Sequence, residues 1–194
     1  MYSTAVSGSI SRDVPAVSGR EVDAREAEFA ALFEEYNAAI FNYVLRMVSD
    51  HDRAADITQD TFIKAYRKLD TVTETTSTRS WLYRIATNTA IDDMRRRRNV
   101  TTMSDDQPTF ANRADQRPGP EAQVMAATLD ERVQRALMTL RPNHRQCLLL
   151  SDLEDMSAQQ IGEVMGLSYG AVRTLLCRAR GEMRRALAAE GFAR

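Results

Sequence analysis

Apolar side chains recur at three- and four-residue steps along most of this chain, the spacing that lines one face of an α-helix. Phe29, Leu32, Phe33, Tyr36, Ile40, Tyr43, Val44 and Met47 predict a first long helix. Asp50 and Asp52 each offer a side-chain cap for a second helix running to about Leu69, with Phe62, Tyr66 and Leu69 on its apolar stripe. Asp56, Asp60 and Lys64 form a separate polar stripe, with Gln59 beside it. The threonine-rich stretch 71–78 reads as a loop, because β-branched hydroxyl residues compete poorly for helix. A third helix follows through Trp81, Leu82, Ile85, Ala86, Thr89 and Ile91 and ends in the arginine run 95–98.

Residues 99–123 break the pattern: Pro108, Pro118, Gly119 and Pro120 interrupt any regular element, and apolar residues are sparse. This stretch is the expected flexible linker between two domains, 21–98 and 124–190, with residues 1–20 as a flexible leader. Beyond it, Leu129, Val133, Ala136, Leu137 and Leu140 define an amphipathic helix, and a turn at Arg141, Pro142 and Asn143 leads into Cys147, Leu148, Leu149 and Leu150. Ser157 and Gln160 have the spacing of a capping box; Ile161 and Met165 point inward, Gly162 permits close approach of a neighbouring helix, and Gly166 permits a tight turn. Leu167 anchors that turn, Ser168 caps the next helix, and Val172 and Leu175 return to the core. Two short helices joined so tightly predict a helix-turn-helix. No alternating strand pattern of useful length occurs, so the fold class is all-α: two small helical domains joined by a flexible linker, the C-terminal one containing the helix-turn-helix.

Composition narrows the function. The formal net charge of −1 excludes a uniformly basic nucleic-acid binder but not local basic surfaces. Over residues 169–188 five arginines face one glutamate, suited to phosphate contacts and to an arginine reaching guanine in the major groove. Arg173, Cys177, Arg180 and Arg184 fall on one face by helical spacing, while Val172, Leu176, Ala179 and Met183 fall on another. The arginine run 95–98 reads either as a helix end favoured by the dipole or, with the polar stripe Arg84, Asn88 and Asp92, as a nucleic-acid face. Trp81 has the same two readings, packed in the core or stacked on a base.

The only cysteines, Cys147 and Cys177, with His51 and His144, supply neither a disulfide framework nor a zinc pattern. No nucleophile–base constellation, Walker loop or metal cluster points to an enzyme, and no cofactor is expected. Apolar runs are too short for a membrane span and the N-terminus lacks a signal core, so a reduced cytoplasm is the expected compartment, without direct membrane insertion.

Taken together, these residues resemble the extracytoplasmic-function class of bacterial RNA polymerase sigma factors. Residues 53–69 (RAADITQDTFIKAYRKL) resemble the family's polymerase-binding helix, and residues 81–95 (WLYRIATNTAIDDMR) its promoter −10 segment. Residues 140–145 (LRPNHR) and 170–180 (GAVRTLLCRAR) resemble the start and the recognition helix of its −35-binding domain. The resemblance implies that Asp56, Gln59, Asp60 and Phe62 bind core RNA polymerase, with Phe62 either an anchor or an internal residue. It places Trp81, Arg84, Asn88, Asp92, Arg95 and Arg96 on the melted −10 non-template strand, and the loop at 70–80 where the family cradles a flipped base. It places Ser168, Tyr169, Arg173, Thr174, Cys177, Arg178 and Arg180 on double-stranded −35 DNA. An anti-sigma factor is the further partner it implies, and the linker falls where relatives thread toward the polymerase active centre.

Three positions depart from the family pattern. Ala171 stands where threonine is usual, Leu175 where a basic residue is common, and Gly162 where alanine is usual, a change that costs an isolated helix up to about 1 kcal/mol. The main rival function is a dimeric helix-turn-helix repressor or activator on paired half-sites. A helical adaptor that binds only proteins is a third reading. The regions around Gln59 and from Asn88 to Arg98 favour the initiation reading over the repressor, and in the adaptor the basic recognition face would be incidental.

Overall fold

The computed structural model describes residues 19–71, 77–101 and 131–192. Most of the expected leader, loop and linker, together with Leu129, therefore lie outside the described residues. The described residues are all-α: α1 (Gly19–Val48), α2 (His51–Lys68) and α3 (Thr78–Thr101) form the first unit. The second comprises α4 (Glu131–Thr139), α5 (Pro142–Leu148), α6 (Ala158–Met165) and α7 (Tyr169–Ala189). A 3₁₀ turn, Leu69–Thr71, follows α2, and a π-helical segment, Leu149–Leu153, continues α5. Helix α1 starts within the stretch expected as leader, while α3 begins before Trp81 and continues past the arginine run.

Of the two aspartates able to cap α2, Asp50 does so, accepting from the Arg53 backbone N–H at 3.0 Å. Ser49 precedes it at φ 56°, a left-handed conformation that a serine adopts at a cost of about 1–2 kcal/mol, which the cap offsets in part. The reversal brings Ile40, Tyr43, Val44 and Met47 of α1 against Ile57, Phe62 and Ala65 of α2. Ala86 and Ala90 give α3 a low-profile face in the same core. The buried Tyr43 hydroxyl is hydrogen-bonded to Thr87 at 2.8 Å, so the core retains no unpaired phenol there. Arg53 of α2 binds Asp93 of α3 at 2.5 Å and Arg97 adds a longer pair at 3.5 Å. Burial pushes the Asp93 carboxyl up, but these hydrogen bonds and charges prevail and hold it below its ordinary value.

In the second unit, Arg145 is buried and replaces water with carbonyls. It donates to Leu137 O at 2.9 Å, Met138 O at 3.0 Å and Leu140 O at 3.2 Å, closing the end of α4. Burial depresses its pKa, yet this set of acceptors suits a five-donor guanidinium. The helix-turn-helix forms as the sequence predicts. Ser157 and Gln160 make both bonds of the capping box at α6, at 2.9 and 3.3 Å. Gly166 ends α6 at φ 67°, and Ser168 caps α7 through the Ala171 N–H at 3.3 Å. A Cβ on Gly162 would stand 2.7 Å from the Leu167 carbonyl oxygen, so the turn requires the glycine that helix propensity alone would disfavour.

The two units are docked. Helix α3 packs against α6, and α1 against α4 and α5. Arg145 also donates to the Met47 carbonyl, Gln134 donates to the Arg46 carbonyl at 3.2 Å, and one apolar cluster runs through both units.

Candidate nucleic-acid and partner interfaces

Helices α1 and α2 leave an apolar groove floored by aromatic rings. Phe62 is only 3% exposed, with Phe33 edge-on at 4.8 Å and Phe29 at 6.3 Å. Phe62 is thus an internal support. The apolar side chains that the groove leaves exposed are Phe33, 43% exposed, and Ile63, 41% exposed, beside Tyr66. Gln59 lines the groove, and Asp56 and Asp60 are exposed on the same helix. Arg25 fixes one end: it pairs with Asp70 at 3.1 Å, donates to the Tyr66 carbonyl at 2.8 Å, and its guanidinium lies 5.0 Å from the Tyr66 ring centre.

Helix α3 turns two faces to different tasks. Leu82, Tyr83, Ala86 and Ala90 are buried, while Arg84, Asn88, Asp92, Arg95 and Arg96 are exposed. Steps of four residues align Arg84, Asn88, Asp92 and Arg96 in one stripe. Arg95 lies 3.9 Å from Asp92, a spacing that leaves both open to solvent and ligand. Trp81 is half-buried and packs on the core, so its ring is held by its neighbours.

On α7 the structure divides residues that helical spacing grouped together. Gly170, Arg173, Thr174, Cys177 and Arg178 line a shallow depression, next to Tyr169, which is 58% exposed and lies 5.8 Å beneath the Arg173 guanidinium. Arg180 and Arg184 instead line a second groove, between α4 and α7. Arg180 donates to Asp152 at 2.7 Å and to Ser151 at 3.2 Å, so the expected single face of Arg173, Cys177, Arg180 and Arg184 is split by an ion pair with the preceding π-helical segment. Ser168 spends its hydroxyl oxygen on the α7 cap, and Thr174 donates to Gly170 O at 3.0 Å. Glu182 bonds His144 at 2.6 Å, a contact that holds the glutamate below its ordinary pKa. Cys147 is buried, which pushes its thiol up to about 11, whereas Cys177 is exposed.

Among the described residues no group of His, Cys, Asp and Glu has metal-site geometry, and no helix is long and apolar enough to cross a membrane. Residues 32–100 match the family described as Sigma-70 region 2, and residues 130–183 match Sigma-70, region 4. The two matches together span more than half of the chain. An RNA polymerase sigma factor of Bacillus subtilis, YlaC, is 32% identical over 79% of this chain and 88% of its own length.

The chain belongs to the ECF group of sigma-70 family sigma factors.

It also resembles the ECF sigma factor SigW of Bacillus subtilis, at 27% identity over 82% of this chain and 88% of the relative, and the sigma-H factor of Pseudomonas aeruginosa, at 30% over 82% and 86%. Among solved structures, RpoE of Bartonella quintana, crystallised with the anti-sigma factor NepR, shares the fold with a TM-score of 0.69 at 24% identity, covering 83% of this chain and 97% of that one. In this sigma factor α1–α3 constitute region 2 and α4–α7 region 4. Sequence reasoning missed two features. Arg145 carried no signal of its burial beyond a position flanked by apolar residues. The apolar stripes predicted for α1 and α2 include Phe33 and Tyr66 but leave out Ile63, and stripes that outnumber the available packing partners point to an open groove.

Proposed function

We propose that this sigma factor divides its work among three surfaces. The aromatic groove of α1 and α2, with Asp56, Gln59 and Asp60 nearby, docks on a helical element of core RNA polymerase, acidic and amide groups around apolar anchors being the composition of such a contact. The exposed stripe of α3, Arg84 to Arg96, holds the melted −10 non-template strand, with Trp81 at its start. The depression from Tyr169 to Arg178 reads −35 duplex DNA, Arg173 being the guanidinium best placed to enter the major groove. Opening needs no chemical step: contacts available only to unpaired bases offset unstacking.

The observation that carries this reading is the presence of two unlike, exposed, arginine-bearing surfaces on two different units of one chain. A dimeric repressor uses two copies of one surface and leaves the α3 stripe and the aromatic groove idle. Purified core polymerase, the sigma factor and a randomised promoter library test it. Run-off transcripts from a subset sharing two separated elements are expected, from a one-to-one complex. No initiation on any library member would overturn it.

The RpoE structure was solved with the anti-sigma factor NepR, and CnrH, a fold relative with a TM-score of 0.61, with the cytosolic domain of CnrY. We infer for this chain a protein inhibitor that competes with polymerase for the aromatic groove, in the cytoplasm where polymerase acts.

A further inference from the structure

Within the α7 depression, Arg173 is held by a partner that leaves its N–H donors open. Arg173 stands one helical turn after Tyr169, and side chains on a helix lean toward its N-terminus, so the arginine lies back over the tyrosine. Its guanidinium carbon sits 5.8 Å from the centre of the Tyr169 ring, within reach of a cation–π contact. Among the described residues Arg173 has this ring contact and no hydrogen bond or ion pair. A carboxylate would occupy the N–H edges of the fork, as Asp152 does for Arg180 at 2.7 Å. A ring meets the charge and leaves the fork open.

Core packing does not explain the ring, since Tyr169 is exposed and belongs to neither apolar cluster. The Ser168 cap fixes Tyr169 as the first residue of α7, so the base of the ring is set by the helix itself. A guanidinium that leans toward a helix N-terminus meets the positive end of the dipole, and the negative face of the ring offsets that repulsion. The neighbouring hydroxyls are committed inside the chain: Ser168 accepts from the Ala171 N–H, and Thr174 donates to Gly170 O at 3.0 Å. Arg178 lines the same depression and, among the described residues, has no ring, hydrogen-bond or ion-pair partner.

We propose that Tyr169 is a positioning residue for base recognition: its ring holds the Arg173 guanidinium, N–H edges open, for a guanine of the −35 duplex. The inference rests on the −35 reading of the α7 depression given above. A guanidinium reads guanine through two parallel bonds to O6 and N7, which tolerate little misorientation. A free arginine must be ordered at each binding event, whereas one held on a ring is ordered beforehand. Tyr169 therefore sharpens discrimination at the base pair that Arg173 meets, and adds no charge to any phosphate contact.

Binding of the full-length chain to a −35 duplex selected from a random pool, and to duplexes that differ from it at one base pair, tests this. Arg173→Ala is expected to abolish discrimination at one pair, which marks the guanine. At that pair Tyr169→Leu is expected to lower discrimination about two- to fivefold, the worth of an exposed cation–π contact, with the salt dependence of binding unchanged. Tyr169→Phe, which keeps the ring and removes only the hydroxyl, is expected to retain the parent value. Added to Arg173→Ala, Tyr169→Leu is expected to cause no further loss, while its effect and that of Arg178→Ala multiply. Circular dichroism checks that each variant folds. Parent-like discrimination in Tyr169→Leu would overturn the positioning role and leave the −35 reading standing. So would discrimination kept at every pair in Arg173→Ala. A Tyr169→Phe variant as impaired as Tyr169→Leu would also overturn it, by assigning the effect to a hydroxyl contact with DNA. If the parent chain prefers no duplex over any other, the −35 reading falls and the positioning role with it.

Discussion

Arg180 and Asp152 form a 2.7 Å ion pair that turns an α7 arginine away from the depression holding Arg173. The hydrogen bond and charge of Asp152 raise the Arg180 pKa, so the pair tightens the guanidinium's hold on its proton without burying it. The depression on α7 therefore holds fewer cations than the arginine count of the helix suggests.

This pair makes duplex binding separable. With a −35 duplex selected from a random pool, Arg173→Ala is expected to weaken binding by about 1–3 kcal/mol, and Arg180→Ala by much less. Asp152→Asn should release Arg180 to a phosphate and steepen the log–log salt dependence by about one. Anisotropy titrations over a range of salt measure both, and equal losses for the two arginine variants would contradict the division.

Phe62 and Ile63 differ in kind although adjacent. Phe62→Ala empties a buried ring site and is expected to cost about 3–5 kcal/mol in urea unfolding. Ile63→Ser acts at an exposed site and should leave stability within about 0.5 kcal/mol. Its expected effect is on core-polymerase affinity, by about 1–2 kcal/mol, since apolar anchors carry most of a groove's binding energy. A pull-down titration that finds polymerase binding intact in Ile63→Ser would remove the groove from the interface.

Gly162→Ala sets two magnitudes against each other. Helix propensity favours alanine by about 1 kcal/mol. The 2.7 Å approach of the Leu167 carbonyl opposes it, and forcing extra volume into a packed site costs about 1–3 kcal/mol. A lower urea midpoint with an unchanged slope is the expected result; a higher midpoint would mean that the turn opens freely.

The Arg53–Asp93 pair should make stability fall in acid. The Asp93 carboxyl titrates below its ordinary value in the folded chain, so at mildly acidic pH the unfolded chain binds more protons and stability rises with pH. The contribution is complete above the unfolded value near 4 and disappears as pH falls through the folded one. Asp93→Asn is expected to cost about 1–3 kcal/mol at pH 7 and progressively less as the pH falls below the unfolded value. A cost that stays the same down to the acid unfolding of the parent chain, from urea unfolding, would assign the effect to packing.

Much of region 4 was legible because its signals are local. Ser157 and Gln160 sit three residues apart, Gly166 meets the demand for positive φ, and Ser168 stands one residue before α7, so each cap or turn is decided within a few bonds of itself. The choice between Asp50 and Asp52 was not legible, since both satisfy the same local rule and only the direction of α1 onto α2 selects Asp50.

The sequence by itself determined the helices, their order, the helix-turn-helix and the family, because periodicity, capping and motif order are properties of neighbours along the chain. Tertiary structure decided that Phe62 lies inside and Ile63 outside, that Arg180 leaves the depression for Asp152, and that Glu154 meets Arg79 and Tyr83 across the unit boundary. Helical spacing gives a side chain's direction about its own axis. Its partner is set by the helix that arrives from elsewhere, and the 71 positions between Tyr83 and Glu154 leave no periodic trace of that meeting.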